Sequence, residues 1–228
     1  MSFLLDSSVH HLLIRGLIDD GKVPNGKALA EKLSAPVGEI EASLRRLNDV
    51  HGLVLHPHVC EPWIIHPFST SPTATWVQQG DRGWWAPCCW CALGIAALVG
   101  GDVTIHTRIG GEAEDIDILV RDGVVQNTGL WAHFPEPPRL AWGNVHHFCA
   151  RLLPFHSPAD VTAWTDRHAL PLGAVLPLSQ LADLARRWYG AHADAAWRKW
   201  TMREASDIFK ASGLTGPFWS LETRAGTF

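Results

Sequence analysis

Between Pro87 and Arg108 the chain changes its period abruptly. Pro87-Cys88-Cys89-Trp90-Cys91-Ala92-Leu93-Gly94 leads into the apolar run Ile95-Ala96-Ala97-Leu98-Val99, and Gly100-Gly101 closes it. This reads as a helix over 89–99, stopped by glycines that tolerate positive φ. Alternation follows at once, with Val103, Ile105, Thr107 and Ile109 set against Asp102, Thr104, His106 and Arg108. A period of two specifies a strand. The middle of the chain therefore has to place a helix directly before a strand, and three of its five cysteines stand within four residues at the start of that helix.

Upstream, Val9, Leu12, Leu13, Leu17 and Ile18 lie at helical spacing and predict a helix over 7–21, with Ser7 or Ser8 as its cap. A second helix is expected over 26–33. A third is expected over 36–49, with Pro36 in its first turn, where a missing N–H costs nothing. Strands at 53–55 and 63–65 complete the order of a winged helix. The third helix sets Arg45 and Arg46 against Glu39, Glu41 and Asp49, a poor match to a phosphate backbone that must be neutralised by cations. A structural or dimerising role is the expected one.

Residues 66–87, rich in Pro, Ser, Thr and Gly, read as a connecting loop. Downstream, strands are expected over 116–120, at 124–125, over 148–155 and over 174–178. The prolines of 134–138 predict irregular chain. Ser157 with Pro158 starts a helix to 168, Ser179 caps another to about 189, and 204–210 is amphipathic. The expected architecture is α+β. A winged-helix-like three-helix domain (1–66) and a connecting loop (67–87) precede a mixed β-sheet core domain with flanking helices (88–190). A C-terminal helical extension (191–228) follows.

Of the 228 residues, 46% are hydrophobic and 18% charged, a globular composition. No apolar run approaches the roughly 18 to 20 residues of a membrane span. The N-terminus lacks the basic-then-apolar pattern of a secretory signal, so the expected location is the cytoplasm. A net charge of −4 argues against an extended nucleic-acid surface. Five cysteines are an odd number for a disulfide framework; in a reducing compartment clustered thiols bind metal, catalyse or fill the core. Twelve tryptophans stand against a single tyrosine. Trp76, Trp84, Trp85 and Trp90 crowd the cysteines, either as the wall of a dry pocket or as core packing.

Thiolates bind soft cations such as Hg(II), Cu(I) and Zn(II). Cys91 at a helix start and Cys149 in Val145-His146-His147-Phe148-Cys149-Ala150 would form a pair only through tertiary structure. Cys88 and Cys91 also form a Cys-x-x-Cys, but the second pair of a structural zinc site is absent. Redox chemistry and plain burial of small apolar thiols stay open. His56, His58, Cys60 and His66 form a possible ligand string on an extended segment, against the reading of ordinary polar residues. His146 and His147 could tune a neighbouring thiolate.

Trp90-Cys91-Ala92-Leu93, ahead of its apolar run, resembles the active-site segment of the alkylmercury (organomercurial) lyases. Phe148-Cys149, with Phe155 and Trp164 downstream, resembles the segment holding that family's other essential cysteine. The similarity covers about 85–190, and the helical order of 7–65 agrees with it. The resemblance implies protonolysis of a carbon–mercury bond. One thiolate attacks R–Hg–X, a second raises the coordination, and an acid protonates the leaving carbon. It implies catalytic and mercury-binding roles for Cys91 and Cys149, and a small organometallic substrate. It also implies cellular thiols as partners and no required cofactor, with Hg(II) or another soft metal as product or ligand. The family's third residue, an aspartate three positions after the first cysteine, is Gly94 here. Candidates for its place are Cys88, Cys89, Asp102, His146 and His147, with Cys89 proposed as a third soft ligand. The alternatives are a soft-metal binding or sensing protein without turnover, a winged-helix regulator, and a diverged enzyme with a non-mercurial substrate.

Overall fold

The computed structural model describes residues 2–126 and 129–222; residue 1 of the expected N-terminal domain and residues 223–228 of the expected extension lie outside the described residues. Helix α1 (Ser2–Asp20) begins earlier than the serine caps suggest, and Ser7 lies buried within it. Its Val9, Leu13, Ile14 and Leu17 recur every three or four residues and bury against Ile40, Leu44 and Leu47 of α3 (Val37–Asp49). Between them, α2 (Gly26–Leu33) is capped by the Asn25 side chain, which accepts from the Ala28 N–H at 2.9 Å. Pro36 stands just before α3 rather than inside its first turn. The Asp6 carboxylate ties α1 to α3, accepting from Ser43 Oγ at 2.6 Å and from the Arg46 guanidinium at 2.6 and 2.9 Å. One of the two arginines of α3 thus faces inward.

The two strands expected after α3 form as β1 (Val54–Leu55) and β2 (Pro62–Ile65). They are the edge of an eight-stranded sheet, because the segment expected as a connecting loop carries three more strands. These are β3 (Phe68–Ser69), β4 (Trp76–Gln79) and β5 (Arg82–Trp85). Loop-type residues at 69–75 hide a hairpin whose strands alternate. Val77 and Trp84 face each other and are buried, while Gln78 and Arg82 are exposed. Gly83 is a strand glycine for a specific reason: the Trp76 indole crosses it, and a Cβ there would lie 2.2 Å from the ring. Trp84 Nε1 donates to the Leu17 carbonyl at 2.6 Å and fastens the sheet to α1.

The sheet continues through β6 (Val103–Arg108), β7 (Asp115–Arg121) and β8 (Val124–Val125), in the order β1-β2-β3-β5-β4-β6-β7-β8. Among the described residues every pairing is antiparallel, so the core is not the mixed sheet expected. Helix α4 (Cys89–Val99) lies between this sheet and α7 (Leu178–Tyr189), and Cys89 to Ala96 are all buried. A helix apolar on every side is a helix covered on every side.

A smaller antiparallel sheet, ordered β10-β9-β11, is built from β9 (Trp131–Phe134), β10 (Leu153–Phe155) and β11 (Ala174–Pro177). Phe134, expected in irregular chain, ends β9; the prolines begin only after it. The strand expected over 148–155 divides. Its first part belongs to α5 (Val145–Ala150), and only 153–155 is strand. Asn144 decides this: its side chain accepts from the His147 N–H at 3.0 Å, and Val145, Phe148 and Cys149 then bury at helical spacing. Helix α6 (Pro158–His168) starts at its Ser157 cap as expected. Helix α8 (Met202–Ala211) opens with a capping box between Thr201 and Glu204, and its Phe209 packs edge-on to Trp188.

Candidate active site

The N-terminus of α4 is where the sulfurs meet. Cys88 is the cap residue, with extended backbone, and its sulfur accepts from the Cys91 N–H at 3.3 Å. A thiol in this place does what Ser or Asp does at most caps, and it faces the positive end of the helix. Cys91 lies three residues on, so it shares the helix face of its cap. Cys149 arrives from α5. The turn after α5 is held to α4 by the Cys89 N–H, which donates to the Leu152 carbonyl at 3.4 Å. The sulfurs of Cys88, Cys91 and Cys149 all lie within 4.8 Å of one another, and all three residues are buried.

Burial alone would raise the Cys88 thiol. Hydrogen bonds from the Cys149 and Cys91 thiols, and the backbone N–H groups of Cys91 and Trp90, hold it instead well below its ordinary value. Burial pushes Cys91 well up. Cys149 is pushed well up by its hydrogen bonds to Cys88 and Cys91, with burial adding to them. Of the three sulfurs Cys88 is thus the one whose surroundings favour the thiolate, and Cys91 and Cys149 are held toward the thiol.

The sulfurs separate two spaces. On one side lies an open cleft of about 750 Å³, to which Cys88, Cys89 and Cys149 contribute with His58, Glu61 and His146. On the other lies a narrow nook of about 30 Å³, lined by Cys91, Cys149, Trp90, Phe148, Tyr189 and Phe209. Burial, with smaller contributions from charged neighbours, pushes His66 at the nook down to about 3 and His192 well below its usual range. Burial lowers Lys199 to about 7. Burial thus disfavours positive charge on these groups.

Tyr189, which the sequence analysis did not single out, is the neighbour of Cys91. Its hydroxyl lies 3.5 Å from the Cys91 sulfur, and burial pushes its pKa well above the usual range, so it stays protonated. Its ring covers Gly94: a Cβ at that position would meet Tyr189 Cδ2 at 2.2 Å and Cε2 at 2.8 Å. Glycine at 94 is what lets α7 bring the phenol to the sulfurs. One signal in the sequence pointed here, since this is the chain's single tyrosine among twelve tryptophans.

The other candidates fall in several places. Cys89 is buried and borders the cleft, but the close group is completed by Cys88. As the first residue of α4, Cys89 points roughly 200° around the helix from Cys91. His146 also borders the cleft, its ring stacked on Trp63 at 5.3 Å, whereas His147 is exposed. His56 and His58 stand at the cleft mouth with ring centroids 5.8 Å apart. Cys60 is remote, its thiol directed at the Glu41 carbonyl at 3.7 Å. Asp102 lies beyond the far end of α4, roughly 16 Å along an 11-residue helix, and pairs with Arg121. Among the described residues the three-cysteine group is the only cluster with ligand spacing.

Three soft donors without a fourth ligand in the group suit a thiophilic ion better than the tetrahedral site of structural zinc. The family model for alkylmercury lyase (MerB) matches residues 68–190. Among curated protein sequences, none matches the chain. Among solved structures, the crystal structure of the mercury-bound form of MerB2 superposes with a TM-score of 0.66. It is 17% identical, and the match covers 85% of this chain and 91% of that one. At that identity the likeness is one of fold. The family match spans more than half of the sequence and includes all three clustered cysteines and Tyr189, and on that ground the chain belongs to the alkylmercury lyase family.

Proposed function

We propose that this chain cleaves a carbon–mercury bond by protonolysis, converting R–Hg–X to R–H and Hg(II), where X is a cellular thiolate. The carrying observation is the group of three buried sulfurs within 4.8 Å, one of them capping α4 and accepting from the Cys91 N–H. Substrate arriving through the cleft meets Cys88 and Cys149, since Cys91 lies deeper, toward the nook. The Cys88 thiolate forms the first S–Hg bond and X⁻ leaves. Cys91 then adds its sulfur, its proton goes to the carbon, and R–H departs with Hg(II) held between Cys88 and Cys91. Cys149 stands within reach as a third donor, and Cys88 takes the place first given to Cys89. Two cellular thiols remove the Hg(II) and return the protons. The reaction as written draws on thiols and one proton transfer, with the cytoplasm as its natural compartment.

Incubation with an organomercurial and excess thiol, with the released hydrocarbon measured by gas chromatography, tests the proposal. Release well above that of Cys91→Ser is expected. Release equal to that of the variant overturns it. A second reading, tight Hg(II) retention without turnover, is favoured by the third sulfur and by the burial of Cys91. It predicts one Hg(II) bound per chain that excess small thiol does not extract, with no hydrocarbon formed.

A further inference from the structure

Protonolysis needs an acid that reaches the carbon bound to mercury. None of the residues lining the nook is a carboxylate; its proton-bearing groups are thiols, histidines, Lys199 and Tyr189. Two features single out one of them. The Tyr189 hydroxyl touches the Cys91 sulfur at 3.5 Å and lines the same nook. Its ring is fitted over Gly94 so closely that any side chain there would displace it. The Lys199 ammonium lies 5.9 Å from the centre of the Trp188 ring.

We propose that Tyr189 is the catalytic acid of this site, passing the Cys91 proton to the departing carbon in the nook. This rests on the lyase reading above. With R–Hg bound to Cys88, the phenol O–H gives its proton to carbon and the electron pair of the C–Hg bond forms the new C–H bond. The tyrosinate takes the Cys91 thiol proton across their contact, and the Cys91 thiolate occupies the position on mercury that carbon has left. One S–H and one C–Hg bond are exchanged for one C–H and one S–Hg bond, and the tyrosine is regenerated. The substrate is thereby oriented, with the thiol ligand X in the cleft and the carbon in the nook. The acid is carried by α7, two helices away in sequence from the α4 segment that carries Cys91.

Single-turnover release of methane from methylmercury separates binding from proton delivery when read beside the mass of the protein–mercury adduct. Tyr189→Phe should form the R–Hg adduct stoichiometrically while releasing methane at least about 100-fold more slowly, the usual share of a general acid. Release by Tyr189→Phe within about threefold of wild type overturns the role of Tyr189 and leaves the lyase reading standing. Failure of Tyr189→Phe to form the adduct also overturns it, because the residue then serves packing. A wild-type protein that binds methylmercury but releases no methane overturns the lyase reading itself, and the acid with it.

Discussion

The cleft and the nook meet at Cys149, with Cys88 on the cleft side and Cys91 on the nook side, and differ in almost every other respect. The cleft is wide and bordered by histidines, threonines, serines and a glutamate; the nook is narrow and lined mainly by aromatic rings, with His66, His192 and Lys199 among them. The titratable groups around the nook, His66, His192 and Lys199, are driven by burial toward their neutral forms. A soft ion with one thiol ligand and one carbon ligand has two unlike ends. A site with one wet side and one dry side can tell them apart, because leaving a thiol ligand solvated costs nothing and burying an alkyl group is favourable.

The largest effect that would break this comparison is removal of the sulfurs that stand between the two sides. Cys91→Ser replaces a soft donor that takes the mercury by hard oxygen, and hydrocarbon release should fall to background; Cys149→Ser, which removes the third donor, should lower it less. Cys88→Ser is the sharper variant, because serine caps a helix well. Its thermal stability should stay within about 0.5 kcal/mol of wild type, while hydrocarbon release is lost. A loss of stability comparable to loss of the cap would show that Cys88 is structural.

Acid should loosen the dry side first. His10 and His66 are held down to about 3 mainly by burial, against 6.5 when unfolded. The unfolded chain therefore binds these protons first, and stability present above pH 6.5 drains away as the pH falls toward 3, on the order of 1 kcal/mol per pH unit for each histidine. Melting temperatures measured from pH 7 to pH 4 should fall steadily. A flat profile would mean that neither ring is buried in its neutral form.

Gly94→Ala forces a methyl into the Tyr189 ring. The expected loss is about 1–3 kcal/mol by thermal or denaturant unfolding, and wild-type stability would show that the two helices are not in close register. The smallest effect concerns the size of the nook. Val145 lines it, and Val145→Ala should raise kcat/KM for phenylmercury relative to methylmercury by roughly tenfold, about the effect of a small apolar group in a pocket. An unchanged ratio would place the carbon on the cleft side.

The local signals that the sequence carried were those made by neighbouring residues. The apolar run and its Gly100-Gly101 stop gave α4 its bounds, alternation gave β6, and Ser157-Pro158 gave the start of α6. Two errors had local causes as well. The prolines and hydroxyl residues of 67–75 masked the hairpin of β4 and β5, whose evidence was the alternation of Val77 and Trp84 with polar neighbours. Cys149 was placed on a strand because its segment is apolar, although Asn144 supplied a helix cap. The sheet edge formed by β1 and β2 was beyond local reading, since it depends on strands that pair across the expected connecting loop.

By itself the sequence singled out Cys91 and Cys149, because their segments carry the family resemblance, and determined that residue 94 has no side chain to act with. Tertiary structure decided what fills that space. The three-residue spacing of Cys88 and Cys91 put both on one face of α4, but the helix start alone could not choose between Cys88 and Cys89 as the third sulfur. The approach of α5 chose Cys88. The packing of α7 then laid Tyr189 over Gly94 and its hydroxyl against Cys91. Periodicity reports the direction in which each residue faces, while a catalytic contact needs two such faces brought together by the rest of the core.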